Sequence, residues 1–244
     1  MSLASETEAA YLIELDHIGI QVGGFPAVYG LTLRVEPGDL LLISGPNGAG
    51  KTTLFRAIAG LARINSGRGS VLGFDLYYPD RGLRSRIGLI SHTSYLYEDL
   101  SVDQNLKITT KSLGLSPQRV ESAKELLGLD RRLCQTSVSQ LSAGQKKRVT
   151  LANLVIKNPP IWLLDEPHAS LDSNGRSVVD MLILEAKKRG TAVLVSSHEG
   201  HGPLLGSGRS LTLVGGRFLP SPRDDKAAFD KEGSSIDSTW DPSA

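Results

Sequence analysis

Residues 45–52 read GPNGAGKT, a run whose residue types suit a bound phosphate. Phosphate oxygens need many short hydrogen bonds, and backbone N–H groups supply them only where side chains leave the approach open. Gly45, Gly48 and Gly50 keep it open, with Pro46, Asn47 and Ala49 between them. Lys51, read as an exposed loop lysine, adds positive charge over the outer phosphates. Thr52 offers a hydroxyl to Mg²⁺, and Thr53 continues the helix whose positive end faces the phosphates. The run matches the phosphate-loop pattern G-x-x-x-x-G-K-[ST]. An incidental glycine turn is the plainer reading, but a strand before the run and a helix after it favour the phosphate.

Two carboxylates form a second candidate group. In IWLLDEP, residues 161–167, four apolar residues end in Asp165 and Glu166. Neighbours on a strand face opposite ways, so the two acids have different tasks. Asp165 is suited to holding Mg²⁺, usually through water, and Glu166 to polarising an attacking water. Further upstream, Ser142 and Gln145 of LSAGQ form an S-x-x-Q capping box that opens a helix. The same geometry makes an anion site, because the N–H groups of Ala143 and Gly144 lie at the helix's positive end.

Such residues need elements to position them. Apolar runs ending at Ser44, Ile90, Leu164 and Ser197 predict buried strands, each followed by a polar loop. Residues 101–157 read as mostly helical, with a capping box at Ser101 and Gln104, proline at a helix start at Pro117, and stops at Gly114 and Gly128. Residues 1–10 and the acidic, Ser/Pro-rich stretch 220–244 read as tails. The alternation between them, about 11–219, is that of an α/β domain.

With 244 residues the chain is long enough for a sizeable core, and 27 Lys+Arg against 26 Asp+Glu leave a net charge of +1. That balance argues against nucleic acid as a partner. One cysteine, Cys134, fits a reducing compartment, and no apolar run is long enough for a membrane span.

LSAGQ resembles the LSGGQ signature of the ABC ATPases, and its place between the phosphate loop and the strand acids is that family's order. In PHASLDSNG, Asp172 falls at the D-loop aspartate, and in VLVSSHE, His198 falls at the γ-phosphate-sensing histidine. The resemblance implies a P-loop NTPase of ABC type, a mixed sheet core with a helical subdomain inserted at about 93–160. It implies ATP hydrolysis with Mg²⁺, and a sandwich of two cassettes. The P-loop of one copy then faces Ser142, Gly144 and Gln145 of a second copy or a homologous ATPase. Polytopic membrane subunits would hold the pair at the cytoplasmic face of the membrane.

Two positions depart from the family pattern. His92 stands in the Q-loop glutamine slot, where a histidine can still bond a metal-bound water, with a charge that then depends on pH. Val22 stands at the adenine-stacking aromatic, with Phe25 near enough to replace it. These departures, the alanine in LSAGQ and the LDSNG sequence resemble the ATP-binding subunit of the heme-exporter-like system of cytochrome c maturation. Another ABC-2-type exporter subunit, or a regulatory ATP-binding module without transport, remains as an alternative. Chromosome and repair ATPases of the family insert long coiled coils, its translation factors carry two cassettes, and GTPases carry N-K-x-D; none of these features is present. His17, His168 and His201 read as ordinary loop residues. The basic clusters Lys146–Arg148 and Lys187–Arg189 read as solvated helix faces.

Overall fold

A computed structural model describes residues 11–91, 93–198 and 202–219. In chain order the elements are β1 (Ile13–Val22), β2 (Phe25–Val35), β3 (Leu40–Ser44), α1 (Lys51–Ile58), β4 (Ser66–Val71) and β5 (Phe74–Asp75). Next come α2 (Arg81–Ser85), β6 (Ile87–Ile90), α3 (Val102–Ser112), α4 (Gln118–Leu126), α5 (Arg131–Gln135) and α6 (Ala143–Lys157). The last are β7 (Ile161–Asp165), α7 (Ser173–Lys188), β8 (Ala192–Ser197), β9 (Arg209–Val214) and β10 (Arg217–Phe218). The segments 1–10 and 220–244, read above as tails, lie outside the described residues.

Six strands in the order β10-β9-β3-β8-β7-β6 make the central sheet. It is parallel from β9 to β6, and β10 pairs antiparallel at the edge, so the sheet is mixed. Strands β3 and β7 are almost wholly apolar, as expected where both faces of a parallel sheet are covered. Their alternation sorts residues between two cores. Leu41, Ile43, Ile161, Leu163 and Leu194 face one core, with α1 and the inner face of β1 and β2. Leu40, Leu42, Trp162, Leu164, Val193 and Val195 face the other, against α3, α4, α6 and α7. Each such Leu or Ile contributes about 1.5–3 kcal/mol when fully buried.

A second sheet, antiparallel in the order β2-β1-β4-β5, was not foreseen from the sequence. Its strands are broken by bulges, at His17 (φ 48°) for example, which blur the two-residue alternation. The helical reading of 101–157 holds as α3, α4, α5 and α6. Ser101 and Gln104 form the full capping box, and Gly114 and Gly128 follow the ends of α3 and α4 with positive φ. Among the described residues no helix is long and apolar enough to cross a membrane.

Candidate functional site

The carboxyl ends of β3, β8, β7 and β6 lie side by side, and ligands of open α/β sheets bind outside such ends. From β3 the chain enters the loop 45–50 and then α1. A Cβ on Gly45 would overlap the Leu213 carbonyl oxygen. One on Gly50 (φ 104°) would lie 2.5 Å from the Ala27 carbonyl oxygen. The loop is therefore pressed against β9 and β2 and can be built only with glycine at those points. Gly48 (φ 78°) faces open space, and Pro46 and Asn47 are exposed.

Lys51 corrects the sequence reading. It is the first residue of α1 and only 6% exposed, with Nζ donating to the carbonyls of Gly45 (2.6 Å) and Pro46 (3.0 Å). The ammonium thus sits inside the curl of the loop, at the end of a helix whose first-turn N–H groups have no intrahelical acceptor. A cradle of backbone amides around a buried cation is matched to a polyphosphate.

Thr52 and Asp165 are brought together from 113 residues apart. The Thr52 hydroxyl donates to Asp165 Oδ2 at 2.6 Å, and the Ser196 hydroxyl donates to Oδ1. Asp165 is 2% exposed. Register explains the arrangement, since Asp165 pairs with Ser196 across β7 and β8. Sequence reasoning missed Ser196, whose part follows only from strand order. A hydroxyl and a carboxylate are hard oxygen donors that suit Mg²⁺. Among the described residues no three His, Cys, Asp or Glu side chains cluster for a metal.

Glu166 leaves β7 in the left-handed region at φ 48°, strain that a glutamate bears only where its surroundings enforce it. Its N–H donates to the Ser196 carbonyl at 3.2 Å, and His198 Nδ1 lies 3.0 Å from Glu166 Oε1. The two acids do diverge, Asp165 towards Thr52 and Glu166 towards His198. His92 lies outside the described residues. Its neighbours Ser91 and Thr93 line a cleft of about 70 Å³ with Thr52 and Asp165.

The signature residues open α6. Ser142 caps α6, accepting from Gln145 N at 3.2 Å, while Gln145 Oε1 accepts from Ser142 N at 2.9 Å. Ser142 and Ala143 are exposed. A Cβ on Gly144 would lie 2.6 Å from the Ser170 carbonyl oxygen, so α6 starts in close contact with the D-loop. Asp172 caps α7 by accepting from Gly175 N at 2.8 Å. That N–H, aided by Arg148, holds the Asp172 carboxyl below the usual carboxylate range.

The cluster Lys146–Arg148 is not a solvated face. Lys146 bonds Glu98, Lys147 Nζ donates to the Glu166 carbonyl at 3.3 Å, and Arg148 bonds both Asp172 oxygens at 3.1 and 3.2 Å. Burial pulls the Lys147 ammonium below the usual lysine range, against the opposite pull of Asp165 and Glu166. His168 is more than a loop residue, since Nε2 lies 2.7 Å from Asp180 Oδ1 and ties the D-loop to α7. Val22 and Phe25 pair across the β1–β2 turn, 56% and 77% exposed.

Residues 28–169 match the family model described as ABC transporter. The chain is 41% identical over 160 residues to the cytochrome c biogenesis ATP-binding export protein CcmA of Xylella fastidiosa (strain 9a5c), covering 65% of this chain and 70% of that protein. It is 32% identical over 197 residues to the CcmA 2 protein of Cupriavidus metallidurans, covering 77% and 90%. A solved ATP-binding subunit of an ABC transporter superposes with a TM-score of 0.74 at 26% identity, over 86% of this chain and 88% of that one. A dimeric bacterial ABC transporter cassette shares the fold, with a TM-score of 0.75 at 24% identity over 85% and 97%. The chain belongs to the ABC transporter family, as one of its ATP-binding, ATP-hydrolysing cassettes.

Proposed function

We propose that this cassette binds Mg-ATP in a sandwich of two copies and drives polytopic membrane subunits from the cytoplasmic face. The system would be the heme-exporter-like one of cytochrome c maturation. The observation that carries the nucleotide reading is the buried Lys51 ammonium inside the glycine loop, beside the Thr52–Asp165–Ser196 chain. The cytochrome c assignment rests on the similarity to the CcmA proteins of Xylella and Cupriavidus.

In this reading the amides of Gly45–Thr53 and Lys51 hold the β- and γ-phosphates. Thr52 and Asp165 hold Mg²⁺, which when bound neutralises charge on the phosphate oxygens. Glu166, oriented by His198, accepts a hydrogen bond from the attacking water and aligns it with the γ-phosphorus. His92, in the Q-loop slot of the sequence, would supply an imidazole to a metal-bound water. Ser142, Gly144 and Gln145 approach the partner's γ-phosphate from a helix N-terminus, where the dipole favours the anion. Phe25, exposed at the hairpin two residues from Ala27, offers its ring to adenine.

The decisive variant is Glu166→Gln, which keeps the shape and removes the charge that aligns water. ATP binding should persist while turnover falls about a hundredfold or more, trapping an ATP-dependent dimer visible by size exclusion with light scattering. Ser142→Arg in that background should abolish the dimer. A Glu166→Gln protein that binds ATP tightly yet stays monomeric, alone and with its membrane subunits, would rule out the sandwich.

A further inference from the structure

Three adjacent basic residues on α6 go to three different places, and the middle one goes to the reaction site. Lys146 is drawn off by Glu98 at 3.0 Å, and Arg148 by Asp172. Lys147 turns inward, and its ammonium meets the carbonyl of Glu166. On the same helix, Gly144 lies three residues before Lys147 and touches Ser170. Residues at i, i+3 and i+4 share a helix face. One face of the first two turns of α6 therefore carries the segment Glu166–Asp172 at three points.

That segment is strained. Glu166 (φ 48°) and Ser170 (φ 65°) are both non-glycine residues in the left-handed region. Such residues cost about 1–3 kcal/mol each and persist only where neighbours fix them. A donor on the Glu166 carbonyl holds the peptide that leaves Glu166, and so restrains ψ at the first of them. We propose that Lys147 is a positioning residue for hydrolysis, holding the Glu166 carbonyl so that the carboxylate is presented from its left-handed backbone. The proposal rests on the water-aligning role of Glu166 given above. It also ties the helix that begins at Ser142 to the carboxylate of the same chain.

A space-filling role needs no charge at this position. Burial disfavours the ammonium, and a hydrocarbon chain would fill the same volume without desolvation. Lys147→Met is thus expected to fold, with a melting temperature close to the parent's.

The test compares Lys147→Met and Lys147→Arg in the full chain, measuring kcat and KM for Mg-ATP together with calorimetric ATP affinity. Lys147→Met should lose about tenfold in kcat, with KM and Kd within about twofold, because only alignment is lost. Lys147→Arg keeps a donor and should recover at least about half of the loss in free-energy terms. In the Glu166→Gln background, Lys147→Met should lower the residual turnover by less than about twofold, since its effect passes through the missing carboxylate. An unchanged kcat in Lys147→Met overturns the proposal. So does a loss of the same size in both backgrounds, or an arginine variant no better than methionine. A Glu166→Gln protein that hydrolyses at the parental rate is a separate result, and it removes the role of Glu166 itself.

Discussion

Replacing Gly144 by alanine tests how closely α6 meets the D-loop. Gly144 is helical, so its lack of a side chain serves close approach rather than an unusual backbone. The added Cβ would stand 2.6 Å from Ser170 O, against about 3.4 Å for an ordinary contact. The atom it meets is backbone, so no side-chain rotation relieves it. Helix and loop must part by about 0.8 Å, the difference between those two distances. Overpacking of this kind costs about 1–3 kcal/mol. Alanine returns up to about 1 kcal/mol of helix propensity, less in the first turn. The net loss is about 0–3 kcal/mol, a fall of up to about ten degrees in melting temperature for a chain of this size.

The effect on rate should be larger than the effect on stability. The displaced loop is continuous with Glu166, and a shift approaching 1 Å in a catalytic group costs about a hundredfold at worst. We expect kcat to fall about ten- to a hundredfold while most of the protein stays folded at assay temperature. Ala143→Gly is the control. Ala143 is exposed, and the change adds no atom, so kcat should hold while stability falls by up to about 1 kcal/mol. Thermal melts and steady-state ATP hydrolysis on both variants decide the matter. A Gly144→Ala protein with a raised melting temperature and parental kcat would refute the close approach.

Lys51→Ala should remove most ATP affinity in calorimetry, since it takes the one side-chain cation from the loop. It should also cost about 1–3 kcal/mol of stability by stripping the Gly45 and Pro46 carbonyls of their donor; equal affinity in mutant and parent would exclude the phosphate loop. Asp103 gives a pH test. Burial opposes its ionisation, but the ammoniums of Lys107 and Lys124, each at 2.5 Å, outweigh this and hold it below the usual carboxylate range. A depressed folded pKa stabilises above the unfolded value, and that stability is lost as pH falls through the folded one. Asp103→Asn should therefore melt below the parent at pH 7, with the gap narrowing once pH drops under about 4. A gap that stays constant down to pH 3 would show that the ion pairs contribute nothing.

The sequence by itself determined the parts whose chemistry is local. The glycine loop, the LSAGQ capping box and the apolar runs ending at Ser44 and Asp165 each depend on residues within a dozen positions. Backbone freedom, capping and strand burial act over that range, so these parts could be read with their roles attached. Strand order could not be read, because β3, β8 and β7 become neighbours only through long crossovers. With the order come the meeting of Thr52 with Asp165, the part of Ser196, and the antiparallel sheet that presses Ala27 against Gly50. The basic run Lys146–Arg148 makes the same point in three residues. Its sequence looks like a wet helix face, and Lys147 and Arg148 do share a side of the helix with Gly144. Only the packed D-loop decides that this side is covered. A lysine's charge state and partners are set by the dielectric and carboxylates around it, and those belong to the tertiary structure.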